Sequence, residues 1–229
     1  MKRPEADNAA AWSLPRVVNF FATHRSGTAD VYASERFFIE PRLKAGVRVL
    51  DVGCAQGGFA SVLAEHLGDF TYTGVDISAD MIAAARVRHP RHAFHQVAEG
   101  RLGPAEGEQF DLVLVLGILH LHKKWRDTLT AAWRATAGSL IFDLRETEGP
   151  TIDDKSRSYM RMDFHGGDER HVEARVPYIV LNAGEALGAA RTICAGTQRL
   201  SRYGYFHPVT ASATTPVAEV MASVYCAER

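Results

Sequence analysis

Cysteine is scarce in this sequence: Cys54, Cys194 and Cys226 stand far apart, with no CxxC pair among them. An odd, scattered set supplies neither a disulfide framework nor a zinc signature, and with a single Asp143 lacking a second acidic cluster no metal is expected. No run of about 18 apolar residues occurs, which excludes a helical membrane span. The opening MKRPEADNAAAW carries charge but lacks the apolar stretch of a secretory signal, and a reducing cytoplasm is the expected compartment. An excess of one charge is missing too, the formal net charge being −1. The densest basic cluster, Arg86, Arg88 and Arg91 with His89 and His92 between, reads as the solvated end of a helix. Neither nucleic acid nor membrane is therefore expected as a partner. Repeats and low-complexity tracts are absent as well.

What is present is ordinary globular material, 46% apolar and 23% charged, enough to build a sizeable core without staples. Residues 1–45 read as a lead-in. Val17–Phe21 is apolar, THRSGTAD is a polar turn, VYASERFFI has a helical mix, and Pro41 breaks the pattern. From Gly46 a regular alternation begins. Val47–Val52 is a short aliphatic strand, and Phe59, Val62, Leu63, His66 and Leu67 follow at helical spacing. YTGVDI forms a second strand, with Ser78 or Asp80 to cap the next helix. Ala93–Val97 is a weaker third strand, and FDLVLVL, Phe110–Leu116, is the strongest in the chain. Trp125, Leu129, Ala132 and Trp133 share one helical face before SLIFDL, Ser139–Leu144. Such alternation requires crossover connections and hence a parallel sheet covered on both faces.

After Arg145 the rhythm changes. Residues 146–175 are polar and unassignable, and Ala183–Cys194 suits a helix. Arg199–Phe206 and Glu219–Cys226 read as strands, joined by a Pro- and Thr-rich loop too short for a crossover helix. They should pair antiparallel.

The chemistry concentrates in VLDVGCAQGGFA, residues 49–60, a strand, a glycine loop and a helix start. Glycines permit positive φ and close approach of a ligand to the backbone. The helix opening near Gly57 points free N–H groups into the crevice where open α/β sheets bind ligands. Gly53, Ala55 and Gly58 give only GxAxxG, an imperfect dinucleotide fingerprint. Asp51, two residues before the first glycine, suits a cationic amino group better than a pyrophosphate, which it would repel.

This set resembles the class I S-adenosylmethionine-dependent methyltransferase family. There the first strand ends in an acidic-x-Gly-x-Gly-x-Gly loop, here Asp51 to Gly57, with Ala55 in place of the middle glycine. The resemblance implies an α/β, doubly wound, mostly parallel seven-stranded sheet with helices on both faces and an antiparallel last strand. Residues 46–229 would form that domain, behind the 1–45 lead-in, with an acceptor-binding insertion at 146–178. S-adenosyl-L-methionine would be the cofactor. Asp76, in the place of the acid that bonds both ribose hydroxyls, would hold the sugar, as dinucleotide enzymes also do. Asp51 would meet the methionine amino group, and Gly53, Cys54, Ala55, Gly57 and Ile77 would also contact the cofactor. Met81 reads as core or as a cofactor contact. Ala98 stands where the family's adenine-contacting Asp is expected, leaving Glu99 as the only acid there, either on the base or as an exposed loop residue. Leu116 and Gly117, ending the fourth strand, would lie under the reacting methyl group.

Methyl transfer from a sulfonium needs alignment of the nucleophile and exclusion of water, with a general base for a hydroxyl or ammonium acceptor. His120 in GILHLHKKW is the expected base, although a histidine there also suits packing or capping. Two residues apart on a helix, His120 and His122 would not share a face, so only one should reach the pocket. Asp143 and Arg145, at the end of strand five, orient an acceptor or pair as a salt bridge. Arg25 and Tyr32 would cover the cofactor, and Tyr159, Arg161, Asp163, His165 and Tyr178 fall in the insertion. Tyr203, Tyr205 and His207 would face the same mouth. No Asn/Asp-Pro-Pro-Tyr/Phe signature occurs, which lowers the readings as a DNA or glutamine-amide methyltransferase. The expected function is methylation of an oxygen or nitrogen on a small molecule, a sugar or secondary metabolite, by a monomer or homodimer. The rivals are an NAD(P)-dependent oxidoreductase, an RNA or protein methyltransferase, and a non-catalytic cofactor-binding module.

Overall fold

The structure is a computed structural model that describes residues 8–25, 27–162 and 174–229. Three short helices lead in: α1 (Asn8–Trp12), α2 (Pro15–Phe21) and α3 (Ala33–Ile39). Pro15 opens α2, where its missing N–H costs nothing. The alternating core then runs β1 (Val47–Val52), α4 (Gly58–His66), β2 (Phe70–Asp76), α5 (Ala79–Arg88), β3 (Ala93–Gln96), β4 (Phe110–Val115), α6 (Trp125–Arg134) and β5 (Thr136–Thr147). Ser78, not Asp80, caps α5, its Oγ accepting from the Met81 amide at 3.3 Å.

The stretch that sequence left unassigned contains β6 (Tyr159–Arg161), β7 (Arg175–Pro177) and the two-residue β8 (Leu181–Asn182), followed by α7 (Ala183–Ile193). The chain closes with β9 (Arg199–Pro208), β10 (Ala213–Thr214) and β11 (Glu219–Glu228).

The main sheet has the order β3-β2-β1-β4-β5-β11-β9. Strands β1 to β5 are parallel, and β11 is antiparallel to both β5 and β9, as expected for the closing pair. One strand exceeds the expected seven, because β8 pairs with the far end of β5 through Glu146 and Thr147. A separate three-stranded sheet, β10-β6-β7, stands beside it.

Two apolar layers cover the main sheet. Val47, Val49, Leu112 and Leu114 pack with Phe38, Phe59, Leu63 and Ile82 from α3, α4 and α5. Leu50, Val52, Val113 and Val115 pack with Leu129, Ala132, Ala186 and Ala190 from α6 and α7. Alternate residues of β1 and β4 thus enter opposite layers, as the period of two demands. A third cluster joins Ala11 and Val17 of the lead-in to Met160, Val176 and Tyr178 of the small-sheet region, with Met81 and Leu121 from the core. The described parts of the lead-in and of the 146–178 region, separate in sequence, therefore form one roof over the carboxyl ends of the strands; Arg16 Nε also donates to the Met162 carbonyl at 3.1 Å. Among the described residues no helix is long and apolar enough to cross a membrane.

Candidate active site

A cavity of about 570 Å³ opens at the carboxyl ends of β1, β2, β4 and β5 beneath that roof. Its size suits a small-molecule ligand, for which roughly 300–1,000 Å³ is usual. The glycine loop forms one wall. Gly53 and Cys54 donate to the Val75 carbonyl at 2.8 and 3.1 Å, which ties the loop to β2. Gly53 has φ +80°, and a Cβ there would lie 2.6 Å from Ile118 Cγ2, so only glycine fits. Ala55 also adopts a left-handed conformation, φ +46°, where the family pattern carries glycine. Its amide donates to Asp76 Oδ2 at 2.9 Å, while the Ser78 amide donates to Asp76 Oδ1 at 2.9 Å.

Asp51 is buried at the end of β1 and accepts from the Tyr72 hydroxyl at 2.5 Å. Burial pushes this carboxyl up to about 7, against the pull of Tyr72 and Arg25. A buried acid with so little compensation suits a cationic ligand group. Beyond β3, Glu99 accepts from Asn8 Nδ2 at 2.7 Å.

The other end of the cavity has different chemistry. Asp143 Oδ1 accepts from the Gly117 amide at 2.6 Å, and its Oδ2 pairs with Arg145 Nη1 at 2.6 Å. Burial pushes Asp143 up, but Arg145 and the Gly117 amide outweigh it and hold the acid below its ordinary range. His120 packs edge-on against Tyr178, ring centroids 5.5 Å apart, and the Ile179 amide fixes its backbone carbonyl at 2.7 Å. Burial, reinforced by Arg145, pushes His120 down to about 3. The ring is thus neutral near pH 7 and a weak proton acceptor, whereas a general base works best near the operating pH. Arg25 bonds Glu35 at 2.8 Å and lies over the Tyr32 and Phe59 rings, centroids 5.3 and 5.7 Å away.

The expected residues Asp51, Gly53, Cys54, Ala55, Asp76 and Ile77 all line this cavity. So do Met81, Ala98, Glu99, Leu116, Gly117 and His120. Gly57 does not. With φ +78° it turns towards His89 and Phe94, where a Cβ would meet ring atoms at 2.9 and 3.0 Å. Gly58 takes its place in the wall, packed so closely that a Cβ there would lie 2.4 Å from the Arg25 carbonyl oxygen. Both His120 and His122 reach the cavity, contrary to the helical expectation. The chain forms one tight 3-10 turn at Leu119–Leu121 and is then extended at His122, so the α-helical spacing does not apply.

Tyr178, Tyr205 and His207 line the cavity as well. Tyr203 instead packs on Phe37 at 5.5 Å, Tyr159 lies under Arg175, and Arg161 bonds the Ala211 carbonyl at 2.6 Å. Asp163 and His165 lie outside the described residues. Sequence reasoning missed Asn8, Trp12, Phe20, Phe21 and His24, which wall the cavity from the lead-in. A cluster of aromatics in a short segment before the first strand was the available signal. Among the described residues no group of three or more His, Cys, Asp or Glu is arranged to hold a metal.

The glycines leave a backbone cradle, Asp51 forms no ion pair among the described residues, and Asp76 stands between these and Glu99; that donor set fits S-adenosylmethionine. Residues 50–138 match the family model of a methyltransferase domain. The chain is 38% identical over 90 residues to a fatty-acid O-methyltransferase of Mycolicibacterium smegmatis, covering 39% of this chain and 33% of that protein. It is 34% identical over 85 residues to a trans-aconitate 2-methyltransferase of Rhodopseudomonas palustris, covering 37% and 31% respectively. The alignments thus span about a third of the length of these curated relatives. Two solved structures share the fold. The N-terminal domain of EvdMO1 with S-adenosylhomocysteine bound has a TM-score of 0.59 at 15% identity, over 84% of this chain and 78% of that one. Magnesium protoporphyrin IX methyltransferase of Synechocystis with bound S-adenosylmethionine gives 0.57 at 12% identity, over all of both chains. Residues 50–138 thus carry a methyltransferase-domain match, and the chain has the fold of proteins crystallised with S-adenosylmethionine or S-adenosylhomocysteine.

Proposed function

We propose that this protein transfers the methyl group of S-adenosylmethionine to an oxygen or nitrogen of a small molecule, and that a carboxylate oxygen is the acceptor its geometry favours. The observation that carries this is the single cavity joining an acid-lined half, Asp51 and Asp76, to a half built on Arg145, His120 and Tyr178. The cofactor supplies a methyl group already activated on a sulfonium. Asp51 would hold its ammonium and Asp76 its ribose. The chain's remaining task is to align the acceptor and keep water out.

Arg145 is suited to an anionic acceptor. Its guanidinium has more N–H donors than the one Asp143 uses, and a fork of that shape matches a carboxylate. A carboxylate arrives ionised, so no strong base is required, in keeping with a His120 held neutral and weakly basic. His120 then positions the acceptor and does not need to take its proton. The fatty-acid and trans-aconitate relatives act, by their names, on acids. A sugar hydroxyl or an amine is the weaker fit, since either needs a base that His120 supplies poorly.

The test is an acceptor panel. Purified protein is incubated with S-adenosylmethionine and matched carboxylic acids, alcohols and amines, with methylated product read by mass spectrometry. Methyl esters from the acids support the reading, and transfer confined to alcohols or amines refutes the carboxylate. Tight S-adenosylhomocysteine binding without transfer to any acceptor would instead favour a non-catalytic module.

A further inference from the structure

We infer that Asn8, the first residue of α1, recognises the 6-amino group of the cofactor's adenine; this rests on the S-adenosylmethionine reading above. The loop after β3 has Ala98 where an acidic contact to the base was expected, and a methyl side chain accepts no hydrogen bond. Glu99 follows, but its Oε1 already accepts from Asn8 Nδ2 at 2.7 Å.

That contact fixes which way the Asn8 amide faces. A carboxylate only accepts, so the NH₂ group must point to Glu99 and the carbonyl oxygen must point away from it. Asn8 Oδ1 is buried and has no hydrogen-bond partner among the described residues, although Asn8 lines the cavity. An acceptor left this way loses its hydration with nothing in return, which marks the place of a missing donor. His122 Nδ1, 3.6 Å from Glu99 Oε1, is likewise buried without a hydrogen bond among the described residues. Adenine offers an amino donor beside a ring-nitrogen acceptor, and such an edge answers both orphans.

The sheet order places the base there. Neighbouring strands run β3-β2-β1, with Asp51 at the end of β1, Asp76 at the end of β2 and Glu99 beyond β3. With the amino acid at Asp51 and the ribose at Asp76, the base continues in the same direction, onto the wall of Val97, Glu99 and Asn8. The lead-in therefore supplies the contact that the loop after β3 lacks.

The test compares S-adenosylhomocysteine with S-inosylhomocysteine, in which a carbonyl replaces the amino group, by calorimetry on the wild type and Asn8→Ala. The wild type should prefer the adenosyl ligand by about 100-fold or more, because the inosyl carbonyl would face an acceptor. Asn8→Ala should weaken S-adenosylhomocysteine about tenfold and leave the inosyl ligand unchanged or tighter, narrowing the ratio. Equal loss for both ligands would show that Asn8 only tethers the lead-in, and would overturn the inference. So would a wild type without preference. If the wild type binds neither ligand, the S-adenosylmethionine reading itself fails.

Discussion

The Tyr72 hydroxyl donates to Asp51 Oδ2 at 2.5 Å, and both side chains are buried beneath the glycine loop. Tyr72 stabilises the ionised acid, as does Arg25, yet burial dominates and the neighbouring charges of Asp76 and Glu35 oppose ionisation as well. Asp51 is therefore poised near 7, a buried acid whose charge a cationic ligand would complete.

Cofactor affinity should consequently depend on pH. The ammonium binds the ionised carboxylate, so affinity for S-adenosylhomocysteine rises as pH rises towards 7 and levels off above it. Below that value the slope should approach about tenfold per pH unit. Calorimetry between about pH 5.5 and about pH 8 reads the profile, and a flat one would remove Asp51 from the amino-group site.

Asp51→Asn should stabilise the free protein while abolishing cofactor binding. The folded-state pKa lies above the ordinary carboxylate value, so the unligated fold loses stability as pH rises from about 4 to about 7. Asparagine removes that penalty and still accepts from Tyr72. Melting should move up by roughly 2–8 °C at pH 8 and by little near pH 4. A lower melting temperature at pH 8 would contradict this account.

Ala55→Gly should relieve the left-handed backbone. Alanine at φ +46° carries a steric cost of about 1 kcal/mol, partly offset by glycine's greater freedom when unfolded. A gain on the order of 0.5 kcal/mol is expected in denaturant unfolding, with the Ala55 amide still bonded to Asp76. Clear destabilisation would show that the methyl group's packing against the roof outweighs the strain.

Arg145→Lys and His120→Ala separate acceptor binding from cofactor binding. Lysine keeps the charge beside buried Asp143 but loses the fork, so the acceptor KM should rise about tenfold. His120→Ala should lower kcat with little change in S-adenosylhomocysteine affinity. An unchanged rate would exclude His120 from the chemistry, and a large loss of cofactor affinity would assign it to the wrong half of the cavity.

The parallel core was legible because its strands are continuous aliphatic runs and its helices carry clear faces, as in Val47–Val52 and Trp125–Trp133. The acids Asp51 and Asp76 were legible because they sit at fixed places around the loop. What escaped depended on long-range packing. Polar residues 146–175 carry no period that predicts β6 and β7, and pairing with β10 comes from more than 50 positions away, at Tyr159 and Thr214. The roles of Asn8 and His122 escaped for a related reason: each is set by where a short, irregular segment lands on the core.

Asp76 orders the loop before any ligand arrives. With one oxygen on the Ala55 amide and the other on the Ser78 amide, its carboxylate has a single orientation in the free protein. A sugar reaching that carboxylate meets a rigid acceptor, so little rotational freedom is left to lose on contact. Recognition at the ribose should therefore be nearer to docking on a finished surface than to moulding one, with adjustment left to the roof above.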